Sequence, residues 1–84
     1  MANNPSSRLT NKTFFMFKHY YVNAVPQSNG DHEVHCEGCY WMPSSTNRVY
    51  LGYFASSKEA LAAARRLYPS ADGCAFCCPE IHKH

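Results

Sequence analysis

His35-Cys36-Glu37-Gly38-Cys39 and Gly73-Cys74-Ala75-Phe76-Cys77-Cys78 are the two stretches whose joint reading decides the fold. Each is a short polar knuckle carrying sulfur or imidazole donors a few residues apart. The segment between them reads as one strand and one helix. Thiolates and an imidazole gathered from two such knuckles suit a tetrahedral zinc ion, because zinc takes four N or S ligands without imposing an electronic geometry of its own. One Zn2+ per chain is therefore the expected cofactor.

Composition points the same way. A chain of 84 residues makes one domain, and at that size folding buries only roughly 60–65% of the unfolded surface. The apolar fraction is 45%, but much of it is Tyr, Cys and Ala, with a single Ile and few Leu. A core so thin in aliphatic volume needs a staple. Five cysteines cannot all pair within one chain, and no apolar leader opens the sequence. A reducing, cytoplasmic setting is expected, and there clustered cysteines bind metal more often than they form disulfides. No apolar run approaches the roughly 20 residues that span a bilayer, so no membrane partner is expected.

The formal charge of +2, falling to +1 with three thiolates on zinc, gives little argument for a polyanionic partner. Arg65 and Arg66 are the only adjacent basic pair.

Taken in order, residues 1–12 read as a flexible N-terminal segment, 13–79 as a single zinc-binding domain and 80–84 as a flexible tail. Thr13–Val25 is dense in aromatic and β-branched residues and predicts a strand. Asn29-Gly30 supplies the turn of a hairpin, and His32–Cys36 returns as a second strand. Val49–Phe54 predicts a third. Ser56-Ser57-Lys58-Glu59 is a capping box opening a helix over Ser57–Tyr68, which Pro69 ends. Ala60, Leu61, Ala64, Leu67 and Tyr68 form its expected buried stripe, and Ser70–Gly73 reads as a turn. The fold class that follows is α+β: a three-stranded antiparallel sheet packed with one C-terminal helix.

The knuckles offer more donors than a four-ligand site can take. Cys74 and Cys77 have the common Cys-x-x-Cys spacing, and Cys39 closes the first knuckle. Cys78 adjoins Cys77, and adjacent side chains diverge. Spacing alone favours Cys36 over His35 as partner of Cys39. His32, taken to share the strand face of His35, and His82, four residues after Cys78, are alternative ligands.

His35-x-x-x-Cys39, then Tyr50-Leu51-Gly52-Tyr53-Phe54, Glu59-Ala60 and Gly73-Cys74-x-x-Cys77, resembles the zinc-binding domain of the bacterial Ada DNA-repair protein and its Ada-like relatives. Small bacterial Cys/His proteins with the phrase Gly30-Asp31-His32-Glu33-Val34-His35 look similar. The resemblance covers about half the chain, Val34 to Pro79. It implies His35, Cys39, Cys74 and Cys77 as the ligands, with Cys36 and Cys78 beside them. In Ada a cysteine ligand takes a methyl group from a DNA phosphotriester. Here His35 stands at a position held by cysteine there, and Tyr68–Gly73 carries Asp72 but no Arg or Lys, so the repair chemistry is not carried over.

Three thiolates and a histidine close the coordination shell and leave an electron-rich ion, a poor Lewis acid. The expected role is structural, with a contact surface drawn from Tyr40, Trp41, Arg65 and Arg66. A protein partner or a second copy of the chain is one expectation, and a nucleic acid is the weaker one.

Overall fold

The computed structural model describes residues 16–84. The expected N-terminal segment 1–12 and the start of the first predicted strand, 13–15, lie outside them. Four strands are present: β1 (Lys18–Asn23), β2 (His32–Cys36), β3 (Arg48–Phe54) and β4 (Ala71–Gly73). The helix α1 (Ser57–Leu67) lies between β3 and β4.

β1 and β2 form the hairpin that Asn29-Gly30 predicts, with Gly30 N–H donating to Gln27 O at 2.8 Å. Tyr20 pairs with Cys36, Tyr21 with His35 and Val22 with Val34. β3 runs antiparallel to β1 along its other edge. Tyr20 faces Gly52 and Tyr21 faces Tyr50, so Leu51 is the extra residue of a bulge.

Two corrections to the expected fold follow. The sheet is four-stranded and mixed, in the order β3-β1-β2-β4, and β4 pairs parallel to β2 through His32–Ala71, Glu33–Asp72 and Val34–Gly73. The helix is not the last element, because β4 and a 3-10 turn at Pro79–Ile81 follow it. Ala71-Asp72-Gly73 has no β-forming composition. What holds it in the sheet is the chain crossing that α1 makes past β1 and β2, which sets β4 against the free edge of β2.

The helix begins as its capping box predicts. Glu59 N–H donates to Ser56 Oγ at 3.4 Å, and Glu59 Oε1 accepts the amide of Ala55 at 3.1 Å. Its buried face is Ser57, Ala60, Leu61 and Ala64, packed against Tyr20, Val22, Val34 and Cys36 from the sheet. Leu67, expected in that stripe, is 54% exposed. The helix ends one residue earlier than expected, but Tyr68 still packs half-buried against the core, stacked on the His32 ring at 3.8 Å.

Residues 80–84 make contacts that a free tail would lack. Ile81 enters the core. Asp72 accepts the amides of Lys83 and His84, and His84 Nδ1 lies 2.7 Å from Asp31 Oδ2. The Ser57 hydroxyl donates to the Glu80 carboxylate.

Gly73 is where this packing is tightest. A Cβ there would sit 2.4 Å from Ile81 Cγ1 and 2.7 Å from the Cys78 carbonyl oxygen. The backbone oxygen cannot swing aside as a flexible side chain would. Gly73→Ala is therefore expected to destabilise the chain by about 1–3 kcal/mol, read as a lower denaturation midpoint in urea. An unchanged midpoint would show that Ile81 and the following turn do not pack as described.

Candidate metal centre

The alternation of β2 decides which donor goes where. Successive strand residues point to opposite faces of a sheet. Val34 and Cys36 face α1 and are buried in the core, and His35 and Glu33 face the other side. The first knuckle then turns back under His35. Cys39 N–H donates to Cys36 O at 3.2 Å, and Gly38 supplies the positive φ of 83° that the turn requires. β4 brings in the second knuckle. Cys74 N–H donates to Val34 O at 2.9 Å, extending the parallel pairing, and Cys78 N–H closes the turn on Cys74 O at 2.9 Å.

One donor atom from each of His35, Cys39, Cys74 and Cys77 lies within 4.8 Å of all the others. Cys39 Sγ is 3.9 Å from Cys74 Sγ, and Cys77 Sγ is 3.9 Å from His35 Nδ1. The edge of a tetrahedron with 2.3 Å metal–sulfur bonds is about 3.8 Å. Closing the group around an ion thus needs shifts of only a few tenths of an ångström along these two edges. No disulfide joins any of the five cysteines.

The surroundings suit charged sulfur. The backbone amide of Trp41 donates to Cys39, those of Cys77 and Phe76 to Cys74, and that of Cys36 to Cys77 Sγ at 3.3 Å. Without a cation, burial still dominates at two of these thiols: it pushes Cys74 up to about 11 and raises Cys39. The Cys77 thiol is raised first by its contact with Cys78 and then by burial. Burial lowers the His35 imidazole and keeps it neutral, the form that ligates. A dication would replace three thiol protons here.

His35 is 1% exposed, and its Nε2 has no aligned hydrogen-bond partner. Glu33 Oε1 stands 3.3 Å away, in contact but off the bonding direction. With Nδ1 on a metal, Nε2 carries the proton and Glu33 becomes its acceptor. Such outer partners orient a ligating imidazole and raise its basicity. Glu33→Gln is expected to weaken metal affinity about 10–100-fold, read by competition against a chromophoric chelator. An unaltered affinity would remove Glu33 from this role.

The remaining sequence candidates are not among the four converging donors. Cys36 is buried in the core, where burial pushes its thiol up to about 11. Cys78 is fully buried there too, although its Sγ is 3.8 Å from Cys77 Sγ. His32 does not share the face of His35: three residues apart on a strand means opposite faces. Its Nδ1 meets Asn23 O at 2.9 Å. His82 Nδ1 donates to Gly73 O at 2.8 Å.

Tyr40 and Trp41 are exposed and meet edge to face at 5.2 Å, and Phe76 from the second knuckle joins them, 5.7 Å from Trp41. Phe76 escaped the sequence reading, though its place between two cysteine ligands marks it as a knuckle-tip residue. Arg65 and Arg66 are on α1, across the sheet from this cluster, and Arg65 Nε donates to Ala71 O at 3.2 Å. The four proposed contact residues therefore do not form one surface. No helix among the described residues is long and apolar enough to cross a membrane.

Comparisons with protein-family models, with curated proteins and with solved structures return no match.

Proposed function

We propose that this chain is a structural zinc-binding domain in which one Zn2+, held by His35 Nδ1 and the thiolates of Cys39, Cys74 and Cys77, fastens the end of the hairpin to the knuckle after β4. The observation that carries this reading is the convergence of four donor atoms within 4.8 Å of one another, on two knuckles far apart in sequence. Three thiolates with one imidazole are the donor set of closed zinc sites. Four protein ligands leave no position for a reacting water, which favours a structural over a catalytic ion.

The spacing and the strand–helix insert support the likeness to Ada-like domains. The proposal stops short of methyl transfer from phosphotriesters, because His35 stands where that chemistry places a cysteine. The aromatic group Tyr40, Trp41 and Phe76 supports a second element of the role, contact with a protein partner.

Native mass spectrometry with metal analysis tests the site. One zinc per chain is the expected result, and the cobalt-substituted protein should show tetrahedral d–d bands with thiolate-to-metal charge transfer. A chain that takes up no zinc under reducing conditions, or a cobalt spectrum of octahedral type, would overturn the proposal.

A further inference from the structure

Beside the metal group lies a cavity of about 300 Å³, lined by Glu33, His35, Asn23, Gln27, Trp41 and Phe76 among others. We propose that this cavity binds the side-chain ammonium group of a lysine presented by a protein partner. The inference rests on the metal reading above and deepens it by naming what the contact surface recognises.

Charge is the first argument. A zinc dication with three thiolates and a neutral imidazole carries one net negative charge. The Glu33 carboxylate adds a second on the same wall. Glu37 follows on the next outward position of the chain, and its carboxylate accepts the His19 amide. Arg48, held over the Tyr21 ring at 4.7 Å and donating to the Pro43 carbonyl at 3.1 Å, pairs with Asn23 on this same face and offsets one of these negative charges. A phosphate backbone would meet repulsion at the cavity, and a cation would meet attraction.

The lining chemistry is the second argument. Glu33 Oε2 accepts one hydrogen bond, from Gln27 Nε2 at 3.0 Å, and Oε1 faces His35 Nε2. A carboxylate has about four acceptor sites, so it has capacity left for an ammonium N–H. The polar side chains of Asn23 and Gln27 line the same cavity. Trp41 is 55% exposed and Phe76 75%. Aromatic rings and a carboxylate lining one cavity favour an alkylammonium, since aromatic faces attract a cation and apolar surface packs its methylene stem.

Trp41 is the only tryptophan of the chain, so its fluorescence reports on this cavity. The zinc-loaded protein, with its metal content measured on the same sample, is titrated with a terminally blocked Gly-Gly-Lys-Gly-Gly peptide. A saturable change in Trp41 emission is expected, absent with the acetyl-lysine peptide and weakened about tenfold or more by Glu33→Gln in fully zinc-loaded protein. Trp41→Ala, followed by NMR shifts of the Gln27 and Asn23 side-chain amides, should weaken binding similarly. An equal response to the acetylated peptide would reduce the site to apolar contact and overturn the proposal. So would preference for an oligothymidylate. A sample without zinc fails the metal reading. A zinc-loaded sample that ignores the lysine peptide fails this one alone.

Discussion

Stripping the zinc from the loaded chain is expected to unfold it. Among the described residues the large buried aliphatic side chains are Val22, Val34, Leu61 and Ile81, with the rest of the buried core made of alanines, cysteines and one tyrosine. Small domains hold about 5–15 kcal/mol of net stability even with ample cores. Zinc sites in comparably small units contribute about 10–16 kcal/mol of apparent binding energy near neutral pH, which is as large as or larger than that whole margin. Removing the ion also returns three thiols, that of Cys74 buried and those of Cys39 and Cys77 half-buried, to their protonated forms, in a place where backbone amides are aimed at sulfur anions. Near-ultraviolet circular dichroism followed during chelator addition, with metal loss confirmed, measures the effect. Loss of the aromatic signal together with the far-ultraviolet signal is expected. A spectrum that survives complete metal loss would mean that the sheet and helix hold without the ion.

The second large effect separates two neighbours. His35→Ala is expected to lower metal affinity well beyond the roughly 100-fold cost of losing an outer partner, because it removes one of four ligands and leaves Glu33 facing a void. Cys36→Ala should keep one metal per chain. Its side chain belongs to the core cluster with Tyr20, Val34 and Cys78 and makes a long 3.8 Å thiol contact to the Cys77 carbonyl, while the donor to Cys77 Sγ is its backbone N–H, which alanine retains. The cost should be about 1 kcal/mol of stability, that of a small buried apolar group. Metal stoichiometry and the cobalt spectrum measured on both variants check this. Zinc lost from Cys36→Ala but kept by His35→Ala would place the thiol on the metal instead.

Much of this was readable before any coordinates. The capping box, the Asn-Gly hairpin and the two knuckles are local signals, each set by residues close in sequence. The period of a strand separates His35 from Cys36: Val34 enters the core, so Cys36 follows it and His35 faces the other way. The same rule separates His32 from His35. Other features were written in no local pattern. Ala71–Gly73 is a strand only because β2 offers a free edge where α1 delivers it. Leu67 fits the helical stripe by spacing, yet the sheet beneath α1 ends before reaching it. Ile81 looked like part of a polar tail until Gly73 left room for it.

The crossing of α1 also separates the two halves of the donor group along the chain. His35 and Cys39 sit on and just past a hairpin that closes locally, whereas Cys74 arrives from 35 positions beyond Cys39, after the chain has passed over two strands. Closing a loop of that length costs about 4 kcal/mol of chain entropy. An ion already caught by the hairpin end would collect the second pair as β4 docks, making metal uptake and completion of the sheet a single late step. The refolding rate of such a chain would then rise with free zinc concentration and level off once the hairpin half-site is filled.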